Sequence, residues 1–519
     1  MKILFFGLSS KFIHTLPAGW SLSEYLSFNG ISVIEKYHTV NEKYEDLLDA
    51  ALCDKPDVIL FSVYIFNVLT VKKLISDIRL NSTCKIIIGG PEADVDIDAD
   101  HIVFGEGEKA LYELLTKGGE RIIFGENLKN LDLIPSPYTE KRLFESKNKL
   151  VYYESSRGCP FSCAYCMAGL TGKVRYFSLD RVKSDLSKIV NSGAKTVKFT
   201  DRTFNANTAR TNEILEFIAE KFSDKKVCFH FEVGGDLFKE STIKILEKLP
   251  AGLVQFEAGV QTLNEKSLAA VSRSFDKEKF IDNIKKIISF GNIHVHLDLI
   301  AGLPYETLAT FEKTFDEVMA LRPHKLQLGF LKMLKFTPIR ETYDAQFDLL
   351  PPYEVRKTPY MSENDLRLLK EIDWIIERLY NSGKFTCTLE KLFEKYKPFE
   401  IFRLLNAHFA EKGIRKNSAE YLLYEGVLSF CRSDDIMKEI LRFDFLVTNN
   451  SRIIPRALRN EYTEEFKRFL SDITPDRYIL YDNFSHLPDE KAGNFTVKFD
   501  YKYKHPVSNR YRFEILKEK

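Results

Sequence analysis

The residues with the clearest chemistry lie within twelve positions, Ser155-Ser156-Arg157-Gly158-Cys159-Pro160-Phe161-Ser162-Cys163-Ala164-Tyr165-Cys166. Three thiols at a four-then-three spacing share one loop, directly after a β-branched and aromatic run from Leu150 to Tyr153 that reads as a buried strand. Cys thiolates are the usual ligands of iron–sulfur clusters, and a four-iron cluster has four irons to satisfy. Three local thiols leave one iron open. Two other readings stand beside this one: a structural zinc knuckle, which needs a fourth Cys or His in a tetrahedral shell, and three ordinary buried thiols. No fourth ligand lies close in sequence, since the next Cys is Cys228 and the next His is His230.

The CxxxCxxC loop, with Tyr165 before its last Cys, resembles the cluster loop of the radical S-adenosylmethionine (SAM) enzymes. The resemblance implies that Cys159, Cys163 and Cys166 hold a four-iron cluster whose open iron chelates SAM. An electron from the reduced cluster then cleaves the sulfonium, and the 5′-deoxyadenosyl radical so formed abstracts hydrogen from a substrate. It also implies an electron donor such as flavodoxin or ferredoxin.

Elements able to position such a loop follow from Lys149 onward. Strand-like runs at 150–153, 196–200, 227–232, 254–258, 293–300 and 325–330 alternate with helical stretches at 180–190, 208–222, 241–249, 277–290 and 308–321. Six such units make a partial, open (β/α)6 barrel whose chemistry belongs at the carboxyl ends of its strands. Asp201, Arg202, Glu232, Glu257 and Asp298 cluster at or near those ends. Carboxylates in apolar strands are costly unless paired or bound to a ligand, so either an internal salt-bridge network or a ligand site is expected.

The stretches GVQTLNEKSLAAVSR and HLDLIAGLPYET resemble segments of oxygen-independent coproporphyrinogen oxidase and its relatives. That resemblance implies SAM contacts from Tyr153, Glu232, Gln261, Arg273 and Asp298, to which the cluster-loop resemblance adds Tyr165. The glycine pair that usually follows the second strand is replaced by Thr200-Asp201-Arg202-Thr203, which leaves Asp201 or the threonine hydroxyls to meet the SAM amino group. His294 and His296 fall on one face of the fifth strand. Lys332 and Lys335 follow the sixth, where either a substrate anion or plain solvent would face them.

Before the barrel, strand-like runs at 3–7, 31–37, 58–63, 85–88 and 101–104 alternate with helical stretches at 19–28, 44–52, 71–80 and 108–116. This rhythm predicts a doubly wound, Rossmann-like parallel sheet with its ligand loops beyond the strand ends. The IGGPEA and FGEGE stretches resemble the N-terminal domain of cobalamin-binding radical SAM proteins, which implies a cobalamin site at Ser9, Ser10, Ser62, Gly89, Gly90, Glu106 and Gly107. The small residues there would admit a cofactor close to the backbone. His14, in FIHTLPAG, sits near the place of the cobalt-ligating His of the DxHxxG signature, but lacks its Asp and Gly, and a packing role is expected. A domain that has lost its cofactor is the alternative.

The segment 131–143, with Pro135 and Pro137, reads as a linker, giving expected domains at 1–145, 146–340 and 341–519. The last is mainly helical, with a capped start at Ser362, and ends in an antiparallel hairpin of alternating aromatics from Phe495 to Ile515. It resembles the extension of an uncharacterised branch of the same proteins and is expected to close the barrel's open side.

With 75 basic and 74 acidic residues, the chain has no field for non-specific nucleic-acid binding. Eight scattered and clustered Cys do not form a disulfide framework, no segment resembles a signal peptide or membrane span, and a soluble, cytoplasmic protein is expected. The combined resemblances imply a cobalamin-dependent radical SAM enzyme methylating an unactivated carbon. The alternatives are a cobalamin-independent radical catalyst, performing rearrangement or oxidative decarboxylation, and a non-enzymatic cluster- or cobalamin-binding sensor. The substrate is not legible.

Overall fold

The computed structural model describes residues 1–451, 453–488 and 492–516. They divide into two units. The first comprises Met1–Glu257, Leu268–Phe280 and Leu331–Arg356, and the second comprises Ala258–Ser267, Ile281–Phe330 and the chain from Lys357 onward.

In the first unit, β1 (Ile3–Ser9) is buried along its whole length and is flanked by β2 (Val33–Thr39) and β3 (Val58–Ser62). The sheet continues through β4 (Lys85–Gly89), β5 (His101–Gly105) and β6 (Ile122–Gly125) in the order β2-β1-β3-β4-β5-β6, with every pair parallel. The pleat sorts its side chains. Leu4, Phe6, Ile59 and Ile88 face the core under α2 (Tyr44–Leu52) and α3 (Val68–Asn81), while Ile3, Phe5, Leu60 and Ile87 face the core with α1 (Pro17–Phe28) and α4 (Gly107–Lys117). The order reverses between β1 and β3, so the loops after these two strands border the crevice where ligands bind in such sheets.

The proline-containing segment is a packed element, and not a free hinge. Its helix Glu140–Glu145 presents Arg142, which is buried and paired with Glu24 at 2.6 Å and Glu35 at 2.7 Å, while the Tyr138 hydroxyl donates to the Tyr152 carbonyl. Beyond it, β7 (Val151–Tyr153) leads to a short antiparallel ribbon of β8 (Ser156–Arg157) and β9 (Arg175–Tyr176), which brackets the cysteine loop. A second sheet then orders β7 beside β10 (Thr196–Phe199), β11 (Cys228–Val233) and the first half of β12 (Val254–Gln261).

In the second unit, the end of β12 neighbours β13 (His294–Ala301), and β13 pairs in parallel with β14 (Lys325–Phe330). The helix Glu363–Ile375 opens on a complete capping box between Ser362 and Asp365. Helices Thr386–Phe393, Pro398–Glu411, Glu420–Phe430 and Asp435–Thr448 follow. Strands Ile479–Phe484, Phe495–Lys504 and Tyr511–Leu516 form the terminal antiparallel sheet. The fully buried Arg442 ties helix to sheet by pairing with Asp482 at 2.8 Å and Glu439 at 3.1 Å. Among the described residues, no helix is long and apolar enough to cross a membrane.

Candidate functional site

Three anchors fix the cysteine loop. At its start, the Asp201 carboxylate at the end of β10 accepts from the Ser155 amide (2.8 Å), the Ser155 hydroxyl (2.5 Å) and the Ser156 amide (3.0 Å). Gly158 follows at φ +99, where a side-chain carbon would meet the Lys173 carbonyl at 2.8 Å, so only glycine serves. Between the second and third thiols, the Ala164 amide donates to Val271, and the Ala164 carbonyl accepts from Ile339.

The thiols are free, with Cys163 buried and Cys159 and Cys166 half-buried. Thr203 Oγ1 lies 3.7 Å from Cys159 Sγ, and Arg273 Nη1 lies 3.7 Å from Cys163 Sγ. Thiolates are the iron-ligating form of Cys. The donor set therefore fits a cluster held by three thiolates. Burial raises the Tyr165 phenol above its ordinary value, and the neighbouring Cys163 adds to the shift, placing Tyr165 in contact range of the loop it belongs to.

The second sheet divides its residues by face. Tyr153 points outward: it is 1% exposed and packs on Tyr138 and Phe199, with ring centroids 5.3 and 5.1 Å away. This corrects the expectation that Tyr153 contacts SAM, and its neighbours Tyr152 and Glu154 face the cavity described below. Asp201 is a second correction, because its oxygens are spent on Ser155 and Ser156 and burial raises its pKa, so it anchors the loop and does not meet an amino group.

On the inner face, Lys198 is the cross-strand partner of Tyr152 on one side and His230 on the other, and Glu257 accepts from Lys198 at 2.9 Å and pairs with His230 at 3.0 Å. Glu257 thus belongs to an internal ion-pair network. Lys198 and His230 were not singled out in the sequence, although the alternation of Lys198 with Val197 and Phe199 marks it as inward-facing. Glu232 lies half-buried on β11, and its charge acts on Tyr152 and Lys198.

Gln261 and Asp298 belong to the second unit. Gln261 closes β12 at φ +68 with its Oε1 buried and unpartnered among the described residues, and Asp298 lies 3.0 Å from His296. Lys335, weighed as a substrate contact, is paired with Asp94 at 2.5 Å.

A cavity of about 520 Å³ opens at the strand ends of the first sheet, and Ser9, Ser10, Ser62, Gly89, Gly90, Glu106 and Gly107 all line it. Its opposite wall carries Tyr152, Glu154, Arg157, Thr200 and Arg202. The glycines serve the fold itself. A side-chain carbon on Gly90 (φ +103) would lie 2.7 Å from the Val63 carbonyl, one on Gly89 3.3 Å from the Val103 carbonyl, and one on Gly107 3.0 Å from Leu22.

Glu106 is also engaged: it forms a double ion pair with Arg175 and lies 3.5 Å from Arg157. Arg157 in turn holds Glu108 at 2.6 Å and Glu154 at 3.0 Å. Burial opposes the charge on Glu108, but Arg157 and the Ser21 hydroxyl keep its carboxyl below the usual range. The FGEGE glutamates thereby fasten the first sheet to the start of the cysteine loop. His14 lines the cavity with its Nδ1 2.9 Å from the Tyr152 hydroxyl and its ring stacked on Tyr152, and burial, with Lys11 and Lys198, lowers its pKa. The roomy crevice at the β1/β3 switch, apolar beneath and rimmed by hydroxyls, fits a large flat cofactor such as a corrin.

Comparison with known proteins gives three family matches: B12 binding domain over residues 5–115, Radical SAM superfamily over 153–318, and a protein family of unknown function, DUF4080, over 341–512. The chain joins a B12-binding domain to a radical SAM domain. An uncharacterized methyltransferase of Pyrococcus horikoshii is 26% identical over 338 residues, 58% of this chain and 68% of the relative. A tRNA-2-methylthio-N(6)-dimethylallyladenosine synthase of Endomicrobium trichonymphae is 25% identical over 46% of this chain, which spans 57% of that relative.

Two solved structures share the fold. The cobalamin-dependent SAM radical enzyme OxsB with aqua-cobalamin bound has a TM-score of 0.58 at 14% identity over 84% of this chain and 76% of its own. The radical SAM methyltransferase TsrM from Kitasatospora setae, with cobalamin and a four-iron cluster bound, has a TM-score of 0.53 at 17% identity over 65% and 77%.

Proposed function

We propose that this protein is an enzyme that transfers a methyl group to an unactivated carbon. The observation that carries the reading is the shared cavity, which has the strand-end loops of the B12-binding domain on one side and the flank of the cysteine loop on the other. Bound together, a cluster, SAM and cobalamin supply an electron, a carbon radical and a transferable methyl group, while the protein orients them. In this reading Cys159, Cys163 and Cys166 hold the cluster, with Arg273 beside Cys163. As the resemblance implies, Glu232, Arg273, Gln261 and Asp298 contribute to SAM binding.

The division into 1–145, 146–340 and 341–519 is supported by the three separate family matches. A low-potential reductant such as flavodoxin or ferredoxin would feed the cluster, and the free thiols suit a reducing cytoplasm.

The test uses anaerobically reconstituted protein, deuteromethyl SAM and a small-molecule extract of the source cells. A product carrying the deuteromethyl group is expected. SAM cleavage with an unlabelled product would move the protein to a radical catalyst without methyl transfer. No SAM cleavage under any condition would leave the sensor.

A further inference from the structure

The four residues that replace the usual glycine pair, Thr200 to Thr203, are divided among three tasks. Asp201 turns inward and holds Ser155 and Ser156. Thr203 reaches the Cys159 thiol at 3.7 Å. Thr200 and Arg202 line the cavity.

The other charges on the cavity wall are accounted for: Glu106 by Arg175 and Arg157, and Glu108 and Glu154 by Arg157. Arg202 is different. Its side chain is exposed to the cavity and has no hydrogen-bonded or ion-paired acceptor among the described residues. Its charge acts on the Tyr64 phenol, another lining group.

A guanidinium presents a planar fork of donors that matches a carboxylate or phosphate in two parallel bonds. The backbone carrying this fork is rigid, because the residue before it is locked by Asp201 and the residue after it touches the loop thiol. An anion bound there lies in the cavity that the strand-end loops of the first sheet also line.

Building on the proposed function, we propose that Arg202 is the anion-recognition residue of this cavity, and that the molecule acted on carries a carboxylate or phosphate group. The SAM carboxylate offers the same chemistry, and the experiment separates the two sources. Arg202→Ala and Arg202→Lys are prepared with full iron and cobalamin contents as the check on folding. SAM affinity is measured by calorimetry. SAM cleavage is measured with the extract split on an anion-exchange resin into a retained and a flow-through fraction.

The retained fraction should stimulate cleavage by the wild type, and the flow-through should not. The stimulation should fall roughly ten- to hundredfold in Arg202→Ala, less in Arg202→Lys, with SAM affinity unchanged. A tenfold loss of SAM affinity instead would assign the anion to SAM and overturn the anionic substrate. Stimulation by the flow-through alone, or equal stimulation of both variants and wild type, would overturn the proposal. Loss of cobalamin from Arg202→Ala with iron intact would also overturn it, by giving the residue to the corrin. Because the readout is cleavage and not label transfer, failure of the methyl-transfer reading leaves these outcomes interpretable.

Discussion

Asp201 shows how a single carboxylate can be misassigned from its position alone. It stands at the mouth of a strand where SAM-binding groups cluster, yet its oxygens take three bonds from Ser155 and Ser156. Removing an acceptor from buried donors costs about 1–3 kcal/mol for each group left unmet. Asp201→Ala should therefore hold well under the roughly four irons per chain that a cluster implies, while Asp201→Asn, which keeps one acceptor oxygen, should hold an intermediate amount. Full iron with weakened SAM binding in Asp201→Ala would return the residue to the SAM site.

Glu306 makes a second prediction at this scale. Its side chain is fully buried, neither oxygen has a well-formed hydrogen bond among the described residues, and burial pushes its pKa from 4.5 up to about 7 despite the nearby Thr262 and Thr310 hydroxyls. Below about pH 4.5 both folded and unfolded states are protonated and the residue costs nothing. The cost grows as pH rises toward 7 and is then constant, reaching ~3 kcal/mol by linkage. Glu306→Gln should match the wild type at pH 4.5 and be about 1–3 kcal/mol more stable at pH 8 in urea unfolding, and a gap that does not change with pH would refute the assignment.

At the scale of elements, much was legible because hydrophobic period and layer position agree. The runs beginning at Ile3, Val58 and Lys85 are strands in the structure, and the Ser362 box starts a helix as its residue types require. Register was harder. The motif offset points to Tyr153, whereas the pleat turns Tyr153 to the helices and Tyr152 to the cavity, and a one-residue difference reverses the face. β6 was not legible because Ile122 to Gly125 is a short, half-exposed edge strand whose three apolar residues are too few to show a period.

The segment Leu331–Arg356 was also opaque, since its contacts are long-range. It folds back within the first unit, where Tyr353 donates to the buried Glu92 at 2.8 Å, Lys335 pairs with Asp94, Phe336 packs edge-on to Phe104, and Ile339 bonds to Ala164 in the cysteine loop. This strap joins the Gly89–Ala93 turn to the cluster loop. Tyr353→Phe leaves a buried carboxylate without its donor and should lower stability by about 1–3 kcal/mol. Combined with Glu92→Gln, the loss should be less than the sum of the two single changes, as expected for a contacting pair. Strict additivity would show that the bond contributes nothing.

At the scale of the molecule, the first unit presents one cavity to two sets of loops, and this makes corrin binding separable from cluster assembly. The glycines are poor probes, because a side chain at Gly90 would collide with the Val63 carbonyl, and one at Gly89 or Gly107 would press on the Val103 carbonyl or on Leu22. Ser9 is likewise committed, its hydroxyl donating to the Lys11 and His38 carbonyls. Ser10 lies in the loop after β1, lines the cavity, and holds its neighbours through its carbonyl, which accepts from Asn41, leaving its side chain replaceable. Ser10→Trp should fill the crevice at the β1/β3 switch without touching Cys159, Cys163, Cys166 or the Arg157 ion pairs. Reconstituted in parallel with the wild type, it should keep its iron and SAM affinity while losing at least about nine parts in eleven of its corrin absorbance, a tenfold or greater weakening at wild-type half-saturation. Corrin retained at the wild-type level would place the cofactor away from this cavity, and joint loss of corrin and iron would mean that the two sites do not assemble independently.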